Sequence, residues 1–175
     1  MLRAMLSVLG VLFAVSMMGD ANPTSATYVA AADIQATLKK APPTLISDQP
    51  IRVVDAGGYN VGVAVVHRPK ASSLGSPVEH DKVTEIYHVL EGAGTLVTGG
   101  TLVNPKRRPA DAPEVTHVNG PSVGGTSVQG GETRRIAAGD VVIIPAGVPH
   151  WFSEIQETLT YVVVRVDPEK VVPLK

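Results

Sequence analysis

The chain has 175 residues, a formal net charge of −1 at pH 7 and no cysteine. A chain of this length can bury a hydrophobic core as one domain without disulfides. Its charges are dispersed, so we expect no nucleic-acid partner. The densest basic run, "PKRRP" at 105–109, is interpreted as a solvated loop because Asp111 and Glu114 follow it. Any bound metal must be held by histidine or carboxylate side chains, since no thiolate is available.

Residues 1–21 are predicted to form a secretory signal peptide. Arg3 precedes an apolar run from Leu6 to Met18, and the small residue Ala21 suits cleavage before Asn22. The apolar run is shorter than the roughly 20 residues that a membrane span needs. We therefore expect an exported protein, periplasmic or secreted, with no membrane association once the signal is removed.

Residues 22–50 are predicted to be an N-terminal extension with one short helix. The segment "YVAAADIQATLKKAPP" at 28–43 is alanine-rich, carries Ile34 and Leu38 on one helical face, and ends at two prolines. From Ile51 onward the apolar residues alternate with a period of two, in short runs bounded by Gly, Pro, Asn or Asp. We expect a single domain at 51–175.

The predicted domain is all-β. Strands are expected at 51–56, 59–68, 83–92, 94–99, 132–139, 140–147 and 159–167. Since no helical pattern separates them, parallel crossovers are excluded and an antiparallel sandwich or barrel is expected. The segment 99–131 is rich in Gly, Pro and polar residues, and predicts a long loop or an extra hairpin.

The strand "VTEIYHVLEG" at 83–92 places a carboxylate among apolar residues. Alternation sends Glu85 to the same face as Tyr87 and Val89, and sends His88 and Leu90 to the other. A carboxylate on an apolar face is costly unless it is paired, protonated or bound to a cation. The opposite face is also apolar, so we expect the N-terminal helix or a second subunit to cover it, and a homodimer is predicted.

The stretch "GDVVIIPAGVPHWFSE" at 139–154 presents a histidine rigidly. An apolar strand enters a turn in which Pro145 and Pro149 fix φ and Gly147 permits a tight bend, and His150 follows directly. Taken alone, a histidine beside aromatic residues is more typical of a packed core than of a ligand site.

Together the two stretches resemble the paired motifs of the cupin superfamily. The first motif, a histidine pair followed by Glu and Gly, is matched by His80, Glu85 and Gly92. The second, Gly-x5-Pro-x-Gly-x2-His, is matched at every spacing from Gly139 to His150. The resemblance implies a double-stranded β-helix, the jelly-roll barrel of cupins, with a small-molecule ligand or substrate inside it.

Two positions depart from the family pattern, because Val78 stands where the first histidine is expected and Glu154 replaces the final asparagine. The resemblance then implies a metal site of His80, Glu85 and His150. Two imidazoles and one carboxylate are the composition of the facial triad of non-haem Fe(II) oxygenases. We expect one divalent ion, with Fe(II) favoured and Mn²⁺, Zn²⁺ or Cu²⁺ as alternatives.

Further candidates surround this predicted site. His67 replaces the missing ligand if the valine face of strand 59–68 turns inward, and is otherwise a strand-end surface residue. Tyr87 either hydrogen-bonds a bound substrate or packs in the core, and His117 is expected to be exposed in the long loop. An apolar substrate pocket is predicted from four residues: Val63, Val65, Val89 and Phe152.

Three functions remain open at this stage. The first is a metal-dependent enzyme of the oxygenase type acting on a small organic substrate. The second is a non-catalytic small-molecule-binding cupin, and the third is a metal-dependent isomerase or lyase. The fold alone does not choose among them, because one fold supports many unrelated activities.

Overall fold

A computed structural model describes residues 23–70 and 74–175 of the chain. The predicted signal peptide lies outside these residues. The predicted helix is present as α1, Ala31–Leu38, where the Asp33 side chain accepts a hydrogen bond from the Ala30 backbone N–H at 3.2 Å. In the described part of the chain, no helix has the length and apolar character needed to cross a membrane.

Eleven strands are found in the described residues, and their bounds are as follows: β1 Ser47–Asp55, β2 Asn60–Arg68, β3 Val78–His80, β4 Thr84–Thr98, β5 Thr101–Val103, β6 Lys106–Arg107, β7 Ser122–Gly124, β8 Ser127–Gln129, β9 Glu132–Ala137, β10 Val141–Ile144 and β11 His150–Asp167. The two strands predicted at 83–92 and 94–99 are one long strand, β4. The strand predicted at 159–167 begins earlier, at His150.

All strand pairs are antiparallel, as the absence of crossover helices predicted. The main sheet runs β1, β2, β11, β3, β7, β6 in spatial order. The long strand β4 pairs with β11 along most of its length, and also pairs with β10 through its first half and with β9 through its second. The architecture is the predicted jelly-roll barrel, with β4 and β11 as its common members.

The barrel core is filled by one cluster of apolar and aromatic side chains. The buried residues Tyr87 and Val89 of β4 meet Phe152, Leu159 and Tyr161 of β11 in this cluster. The Tyr87 and Tyr161 rings lie 4.4 Å apart between centroids. The predicted inward face of β4 is therefore confirmed, and His88 and Leu90 are exposed on the other face.

The inner face of β2 is not the one predicted. Ala64 and Val66 belong to the barrel core, and Ala64 is the cross-strand partner of the buried Val163. Val63, Val65 and His67 alternate onto the opposite face, so the prediction that they turn inward is wrong. Apolar residues occupy both faces of β2, so alternation alone did not identify the inner one.

The N-terminal helix does not cover the second face of β4. Its main contacts are with β1 and β2, while Val141 and Ile143 of the neighbouring β10 remain 62 % and 65 % exposed. Cover of this face by a second subunit stays a prediction.

Segment 99–131 contains an extra hairpin, one of its two predicted forms. Strands β5 and β8 form a separate two-stranded sheet, and β6 pairs with β7 inside it. Through β7, which pairs with β3, this excursion rejoins the main sheet. A five-residue π-helical turn, Val115–Asn119, lies between β6 and β7.

The two glycines of the motifs provide a matched test of the fold. Gly92 and Gly139 both have positive φ, 78° and 92°. A Cβ atom at Gly92 would lie 1.9 Å from the Thr158 carbonyl oxygen, whereas none of the described residues beyond the chain neighbours places an atom within 4 Å of the Gly139 position. We expect Gly139→Ala to lower the free energy of unfolding by about 1–2 kcal/mol, from backbone strain alone.

Gly92→Ala adds a clash between two backbone segments, which cannot be relieved by a side-chain rotation. We expect a loss of more than about 4 kcal/mol, or no folded protein. Urea unfolding of the two variants measures the difference. Equal losses in both variants would contradict the close approach of β4 to β11 at Gly92.

Candidate metal centre

Three strands bring together the predicted ligands His80, Glu85 and His150. His80 is the last residue of β3, Glu85 is the second residue of β4, and His150 is the first residue of β11. All three are buried, and their ligand atoms lie within 4.8 Å of one another. Within the described residues, this is the one cluster of three or more such side chains with metal-ligand spacing.

The turn before His150 is tied to the strand that carries His80. The Gly147 N–H donates to the His80 carbonyl oxygen at 2.8 Å, and the Ala146 N–H donates to the Thr84 hydroxyl at 3.2 Å. Gly147 has a φ of 76°, which the turn requires and glycine tolerates. The second motif is thus anchored to the first by backbone hydrogen bonds, and the two histidines are held as one unit.

The donor atoms converge on one point. Glu85 Oε2 lies 3.7 Å from His80 Nε2 and 3.3 Å from His150 Nε2. Donor atoms that share one ion, each about 2.1 Å from it, lie about 3.0–3.5 Å apart. Small side-chain adjustments therefore bring these three atoms to the spacing of a coordination site.

The hydrogen-bond network fixes the tautomer of His80. Ser122 donates its hydroxyl proton to the Gly120 carbonyl oxygen at 2.8 Å, so its oxygen accepts from His80 Nδ1 at 2.9 Å. Nδ1 then carries the proton, and Nε2 presents a lone pair towards Glu85. Burial lowers the pKa of His80 to about 3, in spite of the nearby Glu85 carboxylate, so the imidazole is neutral.

His150 is oriented in the same way. Its Nδ1 lies 3.1 Å from the Val148 carbonyl oxygen, which can only accept, so Nδ1 carries the proton. Its Nε2 lone pair is then directed at the Glu85 carboxylate, as that of His80 is. Two lone pairs and a carboxylate oxygen facing one another repel unless a cation lies between them. The donor set therefore fits a divalent metal ion.

Glu85 is held in its ionised form by a buried arginine. Burial alone would raise the pKa of Glu85, but the charge of Arg165 brings it well below its usual range. Arg165 Nε donates to Glu85 Oε1 at 2.9 Å, and its two terminal nitrogens bind the Asp48 carboxylate. With Oε1 occupied by Arg165, only Oε2 faces the histidines, so Glu85 is a one-oxygen ligand.

Tyr87 supports the same oxygen. Its hydroxyl donates to Glu85 Oε2 at 2.8 Å, and its ring packs against Tyr161 in the core. Burial and the Glu85 charge raise the pKa of Tyr87 well above its usual value, so it keeps its proton. Of its two predicted roles, packing is present, and its hydrogen bond goes to the carboxylate ligand.

The position of the missing family ligand faces the site. Val78 alternates with His80 on β3, which puts both on one face of the strand, and it is the cross-strand partner of His150. An apolar side chain therefore stands beside His150 where a further imidazole would complete the set. The coordination positions on this side have no protein ligand among the described residues.

Other predicted candidates lie away from the centre. His67 Nδ1 lies 3.1 Å from the Thr160 hydroxyl, so His67 does not replace the missing ligand. Glu154 is exposed and accepts a hydrogen bond from Gln156, and His117 is exposed, as predicted. Of the predicted pocket residues, Val89 and Phe152 lie in the barrel core, whereas Val63 and Val65 do not.

The lining of a large cleft does not include the three candidate ligands. A cavity of about 610 Å³ opens between β1, the turn Val115–Asn119 and the segment 173–175, with Asp48 in its lining. The candidate metal centre is the cluster of His80, Glu85 and His150, because the cleft holds no comparable cluster among the described residues. Asp48 and Arg165 connect the cleft to Glu85 by direct ion pairs.

Three residues of the site were missed by the sequence analysis. Arg165 was visible as a charged residue on the inner side of "LTYVVVRVD", where it alternates with the buried Tyr161 and Val163. Asp48 precedes the predicted start of the first strand, and Ser122 lies in the Gly-rich region without any local signal. Both are identifiable only from the folded chain.

The antiparallel barrel brings two motif histidines and one glutamate together. This combination of fold and residues is typical of cupins. Residues 57–174 match the family model described as Cupin, and the chain belongs to the cupin family. No curated protein matches the sequence.

Several solved structures resemble the chain at low sequence identity. The DMSP lyase DddQ of Ruegeria pomeroyi DSS-3 is 16 % identical, with 74 % of this chain and 50 % of that chain covered and a TM-score of 0.46. The protein BH2720 of Bacillus halodurans is 13 % identical over 87 % of this chain and 91 % of that one, with a TM-score of 0.45. The protein TT1209 of Thermus thermophilus is also 13 % identical, over 75 % and 93 %, with a TM-score of 0.45. The chain thus spans half the length of the DMSP lyase DddQ.

The pKa of His80 makes the stability of the metal-free protein depend on pH. Between the unfolded value of 6.5 and the folded value of about 3, the unfolded chain binds one more proton at this position. The free energy of unfolding should therefore fall as the pH drops through 6.5, by up to about 1.4 kcal/mol per pH unit from this group.

We expect His80→Asn to lose less stability than the wild type between about pH 7.5 and about pH 5, since asparagine does not titrate and still carries a donor for Ser122. Urea unfolding of both metal-free proteins at the two pH values measures this. Parallel losses in the two proteins would show that His80 is not held neutral.

Proposed function

We propose that the protein binds one divalent metal ion through His80 Nε2, Glu85 Oε2 and His150 Nε2. The observation that carries the proposal is the convergence of two imidazole lone pairs and a single carboxylate oxygen inside a buried site. A further hydrogen bond orients each of these groups: His80 Nδ1 donates to Ser122, His150 Nδ1 donates to the Val148 carbonyl, and Tyr87 donates to Glu85. Support of this kind around the ligands is typical of metal sites.

We further propose that the ion is Fe(II) and that the protein is an oxygenase acting on a small organic substrate. Two histidines and one carboxylate are the ligand composition used by mononuclear Fe(II) oxygenases. Such an ion, when bound, supplies dioxygen activation at its open coordination positions. Val78 keeps one side of the site free of a protein ligand, which leaves room for a substrate atom.

The side chains around the ligands favour oxygenase chemistry over isomerase or lyase chemistry. Those reactions need a side chain that accepts and returns a proton. Among the described residues, the side chains hydrogen-bonded to the three ligands are Ser122, Tyr87 and Arg165. Ser122 donates to a backbone carbonyl, Tyr87 donates to Glu85, and Arg165 is fixed by two carboxylates. None of them is a free base, so these residues orient the ligands.

Export and dimerisation are part of the same proposal. The apolar run at the N-terminus supports a signal peptide and hence a periplasmic or secreted protein. The exposed side chains Val141 and Ile143 form an apolar patch on the outer sheet face and support a homodimer.

The metal site is tested by elemental analysis of the purified protein after loading with Fe(II), Mn²⁺, Zn²⁺ or Cu²⁺. We expect about one ion per chain in the wild type, and loss of most of it in His80→Ala, Glu85→Ala and His150→Ala. His67→Ala is the matched control and should retain the ion. Absence of metal from the wild type, or its loss in His67→Ala alone, would contradict the ligand assignment.

Restoring the missing family ligand gives a test in the opposite direction. We expect Val78→His to bind the ion at least about ten times more tightly than the wild type, because a further imidazole on the inner face joins His80 and His150. Competition with a chromophoric chelator measures the affinity. Unchanged affinity in a folded variant would show that Val78 does not face the site.

Oxygenase activity is tested by dioxygen consumption of the Fe(II)-loaded protein with a panel of small organic acids and their neutral amides. We expect uptake that depends on one class of added compound and is lost in His150→Ala. Conversion of a compound without dioxygen uptake would contradict the oxygenase proposal and indicate a metal-dependent isomerase or lyase. Metal binding without conversion of any compound would favour a non-catalytic binding protein.

A further inference from the structure

The basic run at 106–108 is part of the sheet that carries His80. Lys106 and Arg107 form the edge strand β6, which pairs with β7. Arg107 is 61 % exposed and forms an ion pair with Asp81 at 2.7 Å. Arg108, the next residue, is only 29 % exposed in its side chain. The two neighbouring arginines therefore have different surroundings, and the prediction of a solvated loop does not describe Arg108.

The register of the sheet places Arg108 on the same face as His80. The Arg108 N–H donates to the Ser122 carbonyl oxygen at 3.0 Å, and Ser122 is the cross-strand partner of His80. Residues opposite one another in an antiparallel pair share a face. Neighbouring strands are about 4.8 Å apart, so the Arg108 backbone lies about 10 Å from that of His80, within reach of a long side chain.

The guanidinium of Arg108 has a free edge. Its Nη1 donates to Glu114 at 3.0 Å, while Nε is screened from solvent and has no hydrogen-bond acceptor among the described residues. A Cβ atom at Gly124 would lie 3.8 Å from both Nε and Nη2, so the edge formed by these two nitrogens lies beside Gly124. A buried donor without an acceptor costs about 1–3 kcal/mol, which an arriving acceptor would recover.

Gly124 connects this edge to the metal centre. It is the cross-strand partner of Val78, and Val78 is in turn the partner of His150. The sequence of neighbours across the sheet is therefore His150, Val78, Gly124 and then the Arg108 guanidinium. The free edge lies on the side of the centre where the family ligand is missing.

Resting on the proposed function, we propose that Arg108 is the specificity-determining residue and that the substrate is a small organic carboxylate. The Nε and Nη2 edge of a guanidinium matches the two oxygens of a carboxylate in a bidentate, charge-assisted pair. A second donor atom of the substrate then takes the open coordination position beside Val78.

Two surface grooves meet at Arg108 and offer space for the carboxylate end of such a substrate, while Val78 and the three ligand residues line neither groove. One, of about 430 Å³, is lined by Gly124 as well as Arg108. The other, of about 390 Å³, is lined by Ser122 and by the apolar residues Val115, Pro121 and Val171. A carbon skeleton can pack against this apolar wall while its carboxylate is bound by Arg108.

The test compares succinate with its neutral analogue succinamide, both titrated calorimetrically into the metal-loaded protein. We expect succinate to bind at least about ten times more tightly than succinamide. Arg108→Gln should weaken succinate binding at least about tenfold and leave succinamide binding unchanged. Arg108→Lys should lose an intermediate amount, because it keeps the charge but not the planar fork.

Arg135→Gln is the matched control, since it removes the same charge from an exposed position on β9 that lines neither groove, and it should bind succinate like the wild type. Metal content is measured in every variant and should be unchanged. If all variants hold metal but Arg108→Gln binds succinate normally, or Arg135→Gln weakens it equally, Arg108 does not recognise the carboxylate and this inference fails alone. If the wild type holds no metal, the proposed function fails, and the inference that rests on it fails as well.

Discussion

The ionised carboxylate of Glu85, buried inside the barrel, is the constraint on which the site depends. A charge in this position is tolerated only with partners, and removing one partner of a buried ion pair typically costs about 3–5 kcal/mol. Its two oxygens have separate partners: Arg165 binds Oε1, while Tyr87 and the two histidines surround Oε2. This division explains the placement of Asp48 and Arg165, although neither is a ligand. They neutralise the charge on one side, so that the other oxygen is left for a cation.

The clustering of His80, Glu85 and His150 could be predicted from the sequence because each residue is positioned by a short local motif. The spacing from His80 to Glu85 and the Pro-Gly-Pro turn before His150 are properties of short segments, and the long-range fold only has to bring them together. The inner face of β4 was predictable for a similar reason, since a single carboxylate on the face of Tyr87 marks it. For β2 the same argument failed, because the inward-facing Ala64 and Val66 are no more apolar than the valines of the opposite face.

The residues that hydrogen-bond the ligands are determined by the register of strand pairing. This register cannot be predicted from a short segment of sequence. Ser122 reaches His80 only because β7 pairs with β3 in one alignment, and Arg108 shares their face only because β6 follows at the same register. The hairpin excursion at 99–131, whose composition suggested a peripheral loop, thus supplies both the residue that orients one histidine and the arginine nearest to the open side. The role of Val78 likewise depends on its neighbours, because it lies between the three candidate ligands and the Arg108 guanidinium in the sheet.

The hydrogen bond from the Gly147 N–H to the His80 carbonyl joins two segments that are far apart in the chain. Closing a contact of high sequence separation costs loop-closure entropy, which slows folding. The site therefore has no precursor in either motif alone and comes into existence only when the barrel closes. Conversely, an ion bound there would stabilise the closed barrel over every partly open form. The binding of metal and the completion of folding would then be thermodynamically coupled.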